Sequence, residues 1–444
     1  MTTQSKPTSS QSHSADLFDR AQHVLPGGVS RNTVLRKPHP AYAAFGEGCR
    51  LTDLDGTTRI DFSNNMASLI HGHAYPPIIR AVTEQLERGT AYMMATEAEV
   101  AYAEHLCSRN PGFGKIRFVN SGTEAIMVAI KAARAFTGRT KIAKIEGAYH
   151  GGYDYAEVSQ TPKPENWGSL DRPNNVPLVH GTPDSSLESV VILPFNDVDR
   201  AIAILDENAD NLAGVVMDLM PHRVGLNPIE RDFLTAIREW TRKNGSLLVL
   251  DEVITFRSSY GGLQMTYGVE ADLTAMGKMI GGGFPVGAVA GRADIMDVMD
   301  PNGDRYRFPH SGTFSANPIS MVAGMAAMKD FDEPAVERLN ALTERASRGI
   351  TEAAKATEAR ACVTGCGSIV RVHMKEHPPR NFREAFLSPD ENHRLTALLD
   401  HLFESGFIMI NTCTAMMSTP MTEVEIDALV NACGEGFEKI ARMP

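Results

Sequence analysis

Short, almost wholly apolar segments recur through the middle of this 444-residue chain, and helical patterns separate them. Such segments are typical of strands covered on both faces, and their alternation with helices predicts βαβ units and a mainly parallel sheet. The predicted fold class is therefore α/β, with a large domain of mainly parallel sheet flanked by helices and a smaller α+β domain. The predicted strands are 116–119, 142–146, 214–218, 247–251, 273–276 and 286–290, with a helix at 123–136.

The predicted domain limits follow changes of pattern along the chain. Residues 1–14 are polar and lack an apolar stretch, which predicts a disordered tail. Residues 15–75 are predicted to join the smaller domain, 76–320 to form the large domain and 321–444 to form the small C-terminal domain. No Pro- or Gly-rich linker marks these limits, so they rest on the pattern of strands and helices alone.

Charge and composition exclude several classes of function. A net charge of −11 disfavours non-specific binding to nucleic acids and to anionic membrane surfaces. No apolar run reaches the roughly 18 residues that span a bilayer, and the N-terminus lacks the apolar core of a signal peptide. The six cysteines are scattered without a zinc-binding pattern. We therefore expect a cytoplasmic protein with reduced thiols and no metal site.

The first motif that carries chemistry is Asn120-Ser121-Gly122-Thr123-Glu124, between a predicted strand and a predicted helix. Gly122 permits close approach of the backbone to a ligand, and Ser121 and Thr123 place hydroxyls beside the free N–H groups of a helix N-terminus. Such a terminus binds anions and is suited to a phosphate. An ordinary helix N-cap gives the same pattern and is the competing interpretation.

The second motif, Tyr149-His150-Gly151-Gly152, follows the predicted strand 142–146. Ligands of open α/β sheets bind beyond the carboxyl ends of the strands, where an aromatic side chain can stack on a planar ring. Tyr149 is the candidate for that contact. A packed tyrosine in a polar turn is the alternative explanation.

The third motif is Asp251-Glu252, at the end of the apolar run 247–250. A carboxylate at the end of a buried strand is costly unless it is paired. The protonated nitrogen of a pyridine ring is one such partner, and the carboxylate keeps that nitrogen charged. We predict that Asp251 is the functional acid and that Glu252 is structural, against the alternatives of a solvated loop carboxylate or a helix cap.

The fourth motif places Lys278 between a strand and the run Gly281-Gly282-Gly283. Glycines at this point let the backbone crowd around a ligand, and a desolvated lysine loses its proton readily, as a Schiff-base amine must. A nucleotide-binding loop is the competing interpretation. The order is wrong for a Walker motif, however, because the lysine precedes the glycines.

The four motifs together predict one cofactor. They supply a phosphate site, a ring-stacking side chain, a partner for a pyridinium and an imine-forming lysine. Pyridoxal 5'-phosphate (PLP) requires all four.

The same runs carry a family resemblance. Asn-Ser-Gly-Thr-Glu-Ala, Tyr-His-Gly, Asp-Glu-Val, Gly-Lys-x-Ile-Gly-Gly-Gly and His-Ser-Gly-Thr-Phe follow one another in this order. The chain resembles the class III aminotransferases over roughly residues 20–440. It is most similar to the branch with glutamate-1-semialdehyde 2,1-aminomutase and the aminotransferases of β-amino and aryl amino acids.

The resemblance implies the fold-type I architecture of PLP-dependent transferases and a homodimer. Transferred to this chain, the cofactor site comprises Lys278 as the Schiff-base lysine, Asp251 at the pyridine nitrogen, Ser121, Gly122 and Thr123 at the phosphate, Tyr149 on the ring, and Thr313 at the phosphate of the neighbouring subunit.

On the substrate side the resemblance is partial. The run ending at Arg31 resembles the stretch whose arginine binds the substrate carboxylate in β-amino acid aminotransferases. Where relatives carry Glu-Pro, this chain has the run from Asp218 to Arg223, so we predict that His222 and Arg223 contact substrate or cofactor. A surface salt bridge is the alternative for either arginine. Residues 411–418 lack the glutamate expected in the aminomutase, and the second carboxylate-binding arginine of some β-amino acid aminotransferases.

These observations predict a transaminase with small-molecule amino and keto acids as substrates. The donor is predicted to be a carboxylate-bearing β-amino, aryl or D-amino acid, and the acceptor a keto acid such as pyruvate or 2-oxoglutarate. A glutamate-1-semialdehyde-type aminomutase is the first alternative, since it uses the same cofactor residues. A non-catalytic binding protein on an enzyme-like fold is the second, and the intact Lys278 and Asp251 argue against it.

Overall fold

A seven-stranded sheet forms the centre of the computed structural model, which describes residues 12–443. Its strand order is β4-β10-β9-β8-β7-β5-β6, and the five strands from β9 to β6 run parallel to one another. Strand β10 is antiparallel to both of its neighbours. The predicted mainly parallel sheet is confirmed. Its strands are β4 (Lys115–Val119), β5 (Lys141–Ile145), β6 (Val190–Leu193), β7 (Leu212–Met217), β8 (Leu247–Asp251), β9 (Leu273–Gly277) and β10 (Gly287–Gly291).

All six predicted strands are present in the central sheet, and one further strand of this sheet, β6, was not predicted. Its four residues are buried, and it pairs with β5 at the edge of the sheet. Its sequence Val-Val-Ile-Leu carries the same apolar signal as the predicted strands, and the sequence analysis missed it. The predicted helix 123–136 is confirmed as α5 (Gly122–Thr137).

Two smaller sheets complete the strand structure. The first has the order β1-β2-β3-β13 and joins the N-terminal segment to the C-terminal part through the parallel pair of β3 and β13. The second has the order β11-β12-β14 and is antiparallel. Their strands are β1 (Ala43–Glu47), β2 (Arg50–Asp53), β3 (Thr58–Asp61), β11 (Cys362–Thr364), β12 (Ile369–His373), β13 (Phe407–Ile408) and β14 (Thr414–Met416).

Helices pack on both faces of the central sheet, and further helices pack against the small sheets or against one another. They are α1 (His13–Gln22), the single turn α2 (Asn64–Ala67), α3 (Pro76–Leu86), α4 (Glu97–Ser108), α5, α6 (Asp154–Glu157), α7 (Asp184–Glu188), α8 (Val198–Asp206), α9 (Arg231–Asn244), α10 (Gln264–Tyr267), α11 (Ala293–Met296), α12 (Pro318–Asp330), α13 (Glu333–Ala356), α14 (Phe382–Ala385), α15 (Pro389–Glu404) and α16 (Glu423–Ala441). Between residues 12 and 443, none of them is long and apolar enough to cross a membrane.

The near-continuous apolar character of the central strands follows from this two-sided cover. Val215 and Leu250 pack into the core cluster that contains the apolar face of α9. Val216 and Val249, one residue away on the same strands, pack into the cluster that contains α5. Successive side chains point to opposite faces of a sheet, so a strand covered on both faces must be apolar at every position.

The predicted disordered tail is wrong at its C-terminal end. Residues 1–11 of that tail lie outside the described residues. Ser12 is the N-cap of α1, and Asp55 accepts hydrogen bonds from Ser12 Oγ (2.8 Å) and from the backbone N–H of His13 (2.7 Å). The predicted domain limits stay predictions, and the one between 320 and 321 falls inside α12.

Candidate active site

Three ionisable side chains lie where neighbouring parallel strands end. Asp218 follows the last residue of β7, Asp251 is the last residue of β8, and Lys278 follows β9 directly. Carboxyl ends of adjacent parallel strands share one edge of a sheet, which is where ligands of this fold class bind. The structure thus brings together the predicted lysine and the predicted acid.

Lys278 begins a short 3-10 turn, Lys278–Gly281, in a left-handed conformation with φ of 50°. Burial lowers the pKa of its amine, while the charges of Asp251 and Asp218 oppose that shift. A depressed pKa increases the fraction of free amine at neutral pH, which a nucleophilic lysine requires.

The carboxylate of Asp251 is held in a fixed orientation. His150 Nδ1 lies 2.8 Å from its Oδ2, and the backbone N–H of Val253 donates to its Oδ1 at 3.0 Å. Both His150 and Asp251 are buried. His150 belongs to the second predicted motif, but the sequence did not indicate that it contacts Asp251.

Glu252 faces away from this group. Its carboxylate is fully buried and accepts hydrogen bonds from the backbone N–H groups of Leu263 (2.7 Å) and Gln264 (2.9 Å) and from the Thr255 hydroxyl (3.1 Å). Burial raises the pKa of Glu252 to about 7. Its bonding to the 263–264 backbone agrees with the predicted structural role.

Asp218 is a second buried acid beside Asp251. Its Oδ1 accepts a hydrogen bond from the backbone N–H of Met220 at 2.8 Å. Burial and the neighbouring charge of Asp251 both raise its pKa well above the ordinary value. Since two like charges cannot easily share a desolvated site, Asp218 is the acid that favours its neutral form.

The N-terminus of α5 and the loop after β5 meet at the same edge. The backbone N–H of Gly152 approaches Thr123 Oγ1 at 3.4 Å, and a Cβ at Gly151 would clash with that hydroxyl. A Cβ at Gly122 would lie 2.8 Å from Val253 Cγ1. Ser121 caps the helix by accepting from the Glu124 N–H at 3.1 Å, so the competing N-cap interpretation is also correct. Capping leaves the first N–H groups of the helix available to an anion.

Tyr149 and Arg223 lie on the open side of this edge. The Tyr149 side chain is half-exposed, and the guanidinium carbon of Arg223 is 5.9 Å from its ring centroid. Burial lowers the pKa of Arg223. Across residues 12–443 no ion pair of Arg223 is found, which disfavours the surface salt-bridge interpretation for it.

His222 faces two hydroxyls from the C-terminal part. Its Nε2 lies 3.1 Å from Thr412 Oγ1 and 3.3 Å from Thr414 Oγ1, and these hydroxyls are 2.9 Å apart. Burial, followed by the charge of Arg371, lowers the pKa of His222 to about 3. The imidazole is therefore neutral at physiological pH.

Arg371 is a charged residue near this edge that the sequence analysis missed. It is buried, its Nη1 donates to the His222 carbonyl at 2.8 Å, and its Nε has no partner within the described residues. Burial lowers its pKa to about 10. A lone arginine inside the apolar strand Ile-Val-Arg-Val-His is the signal that would have found it.

Arg31 and Thr313 are both exposed. Arg31 is exposed and donates from Nη1 to Asn65 Oδ1 at 2.6 Å. Asn65 belongs to α2, which packs against the turn that starts at Lys278. Thr313 is exposed, and its loop approaches the N-terminus of α5, since a Cβ at Gly312 would lie 3.7 Å from Asn120 Nδ2.

Comparison with known proteins decides the family. The family model "Aminotransferase class-III" matches residues 34–440. The chain belongs to the class III aminotransferases. A glutamate-1-semialdehyde 2,1-aminomutase of Desulforudis audaxviator is 39% identical over 96% of this chain and 97% of that protein.

Two solved structures show the same fold at high similarity. An omega-transaminase from Sphaerobacter thermophilus is 46% identical, with a TM-score of 0.94 over 97% of this chain and 98% of the other. A β-phenylalanine aminotransferase from Variovorax paradoxus is 32% identical, with a TM-score of 0.83 over 95% and 93%. The predicted family, the fold-type I architecture and the PLP-dependent enzyme class are confirmed.

The residues of this class III aminotransferase fit PLP on their own chemistry. Lys278 offers a desolvated amine, and Asp251 offers a carboxylate that His150 holds in place. The close packing at Gly122 and Gly151 brings the α5 N-terminus and the loop after β5 together, as a phosphate site requires. The structure therefore brings a lysine, an acid and a helix N-terminus that could hold a phosphate to one edge of the sheet.

Proposed function

We propose that this class III aminotransferase takes the amino group of a carboxylate-bearing β-amino, aryl or D-amino acid and passes it to a keto acid such as pyruvate or 2-oxoglutarate. The observation that carries the proposal is Arg31. Its guanidinium contacts the turn that packs against Lys278, and no carboxylate of residues 12–443 forms an ion pair with it. Its charge is therefore available to a substrate carboxylate. The likeness to a β-phenylalanine aminotransferase supports the β-amino class.

Each residue of the proposed cofactor site would have a separate role. PLP, when bound, withdraws electrons from the substrate carbon that loses a proton. Lys278 would bind the cofactor, and its freed amine would remove that proton and return one to the cofactor side. Asp251 would keep the pyridine nitrogen protonated, with His150 fixing the carboxylate. Ser121, Gly122 and Thr123 would hold the phosphate, and Tyr149 would cover the ring.

The Asp218 carboxyl and the His222 imidazole would shape the substrate side. Burial disfavours the charged form of both, raising the pKa of Asp218 and lowering that of His222 to about 3. A neutral imidazole and a carboxyl that ionises less readily leave the cations near the site to anionic substrates. Arg223, beside Tyr149, is the second candidate for a carboxylate.

A semialdehyde aminomutase is the runner-up, since a relative of that name is 39% identical. The residues at positions 412 and 414 disfavour an aminomutase. Both are threonines whose hydroxyls face His222, and no acidic residue occurs in the segment 411–418. A transaminase must release its keto product and admit a second substrate, whereas a mutase needs one substrate only.

We further propose that the enzyme is a cytoplasmic homodimer in which Thr313 contacts the cofactor phosphate of the neighbouring subunit. Large apolar side chains are exposed close to Thr313, including Phe314, Met93 and Met94. Asn317 donates to the carbonyl of Thr90 at 2.9 Å and so joins these two segments. An exposed apolar patch of this kind is typical of a subunit interface.

One experiment separates the two candidate functions. The PLP-loaded enzyme receives glutamate-1-semialdehyde and a panel of α-, β- and D-amino acids, each first alone and then with pyruvate or 2-oxoglutarate. A transaminase converts at most one equivalent of donor per site until the keto acid is added. Sustained conversion of glutamate-1-semialdehyde without any keto acid would show that the enzyme is the mutase.

A further inference from the structure

The turn α2 has a backbone conformation that is rare for residues other than glycine. Asn64, Asn65, Met66 and Ala67 have φ of 45°, 48°, 58° and 73° in succession. A left-handed turn brings Cβ close to the following carbonyl oxygen, so four such residues in sequence are energetically unfavourable. Strain of this kind persists only where the surroundings impose it, and it concentrates at functional sites.

Buried contacts on both sides of the turn impose this conformation. Asp61 Oδ1 accepts from the backbone N–H groups of Ser63 (2.9 Å) and Asn64 (3.0 Å). The fully buried Asn64 side chain donates to the carbonyl of Met416 at 2.6 Å. Asn64 therefore stabilises the turn from inside the protein, whereas the side chain of the neighbouring Asn65 is exposed.

The amide of Asn65 is oriented by a second residue. Its Nδ2 donates to Ser68 Oγ at 3.0 Å, and Ser68 Oγ donates to the Asn65 carbonyl at 2.9 Å. Because the NH₂ group is engaged with Ser68, Oδ1 is the atom that faces outward. That oxygen accepts from Arg31 Nη1 at 2.6 Å.

The turn is also a neighbour of the reactive lysine. It packs against the residues that start at Lys278, and Leu69 Cδ2 would lie 3.0 Å from a Cβ at Gly283 in the glycine run. The left-handed turn thus connects Arg31, 34 residues away in sequence from Asn65, to the wall around Lys278.

We propose that Asn65 is a positioning and specificity-determining residue that holds the Arg31 guanidinium for the donor carboxylate, an inference that rests on the proposed function. A neutral amide oxygen fixes the guanidinium without neutralising it. An aspartate of the same shape would form an ion pair with Arg31 and compete with the substrate. The left-handed turn that carries this amide packs against the residues that start at Lys278, and Asn is one of the few residues other than glycine that visit this conformation routinely.

The test compares two donors that differ by one carboxylate-bearing group, 3-amino-3-phenylpropanoate and 1-phenylethylamine, each with pyruvate. The variants are Asn65→Asp, Asn65→Ala and Asn65→Gly, in the wild-type and in the Arg31→Ala background. Asn65→Gly serves as the control for the turn, because it keeps the left-handed backbone and removes only the amide. PLP absorbance and thermal midpoints report whether each variant is folded and loaded.

We expect Asn65→Asp to raise KM for the carboxylate donor about 10- to 30-fold, the effect of neutralising a charge-assisted contact. Asn65→Ala and Asn65→Gly should each raise it roughly 3- to 10-fold, part of the loss expected for one hydrogen bond. KM for the amine and kcat for both donors should change less than about twofold, because uniform binding alone is affected. In the Arg31→Ala background the Asn65 variants should have no further effect.

Two results would overturn this role, and they differ from failure of the proposed function. If Asn65→Asp and Asn65→Gly raise KM by the same factor, and do so equally for both donors, the residue only maintains the local structure. Undiminished effects in the Arg31→Ala background would show that Asn65 does not act through Arg31. If Arg31→Ala itself leaves the carboxylate donor's KM unchanged, the proposed carboxylate site is wrong and Asn65 loses its role with it.

Discussion

His150 Nδ1 lies 2.8 Å from Asp251 Oδ2, and both side chains are buried at the carboxyl edge of the central sheet. The contact joins two motifs that lie 101 residues apart in sequence. It fixes the carboxylate that we assign to the pyridine nitrogen, in the same way that outer partners orient the ligands of other cofactor sites.

Asp251→Asn should therefore preserve the shape of the site and remove its charge. We expect kcat to fall by roughly 10²-fold or more, because the charge that maintains the pyridinium is lost. Steady-state kinetics on PLP-loaded protein measure the effect. Glu252→Gln is the matched comparison and should act mainly on thermal stability. A larger kinetic loss in Glu252→Gln than in Asp251→Asn would reverse the two assignments.

Lys278→Ala should abolish transamination and leave a folded protein. Without the amine there is neither covalent attachment of the cofactor nor a base for the substrate proton. Loss of the visible PLP absorbance that depends on the lysine, with an unchanged circular dichroism spectrum, would establish both points. Substantial turnover by the purified variant would exclude Lys278 as the catalytic lysine.

Thr313→Ala should weaken PLP binding about tenfold, as expected for the loss of one hydrogen bond to a charged group. Equilibrium dialysis of PLP measures this change, and size-exclusion chromatography reports whether the variant keeps the wild-type oligomeric state. Unchanged affinity in a dimeric variant would mean that the neighbouring subunit's phosphate is bound by other residues.

His373 predicts part of the acid sensitivity of the fold. The side chain is buried, and its Nε2 lies 3.0 Å from the carbonyl oxygen of Gly225. Burial lowers the pKa of His373 from the ordinary 6.5 to about 3. As the pH falls below 6.5, the unfolded chain binds the proton and the folded chain does not. The contribution of His373 to the free energy of unfolding is therefore fully present above pH 6.5. Between pH 6.5 and pH 3 it decreases by about 1.4 kcal/mol per pH unit.

Thermal midpoints of the wild type and of His373→Asn at pH 7.5, 6.5 and 5.5 test this dependence. The variant should be less stable at pH 7.5 but should lose less stability between pH 6.5 and 5.5. An equal loss in both proteins would show that His373 does not contribute to the acid sensitivity.

The amino-acid sequence by itself determined the central sheet and the cofactor chemistry. Apolar runs covered on both faces, a helix N-terminus with hydroxyls, and an acid and a lysine at strand ends are local patterns, because their meaning depends on a few adjacent residues. Asp251 was predicted to be the functional acid from its position at the end of the apolar run. The hydrogen bonds that hold Glu252 in a structural role became visible only in the folded chain.

Only the tertiary structure brought together the residues that we propose for the substrate side. Thr412 meets His222 across 190 residues, Arg371 reaches the His222 carbonyl across 149, and Arg31 meets Asn65 through a left-handed turn that no propensity predicts. These contacts depend on how the small sheets pack against the large one. The proposed cofactor residues are adjacent to strands that the sequence pattern predicts, whereas the proposed substrate residues lie on separate segments that only the packed fold brings together.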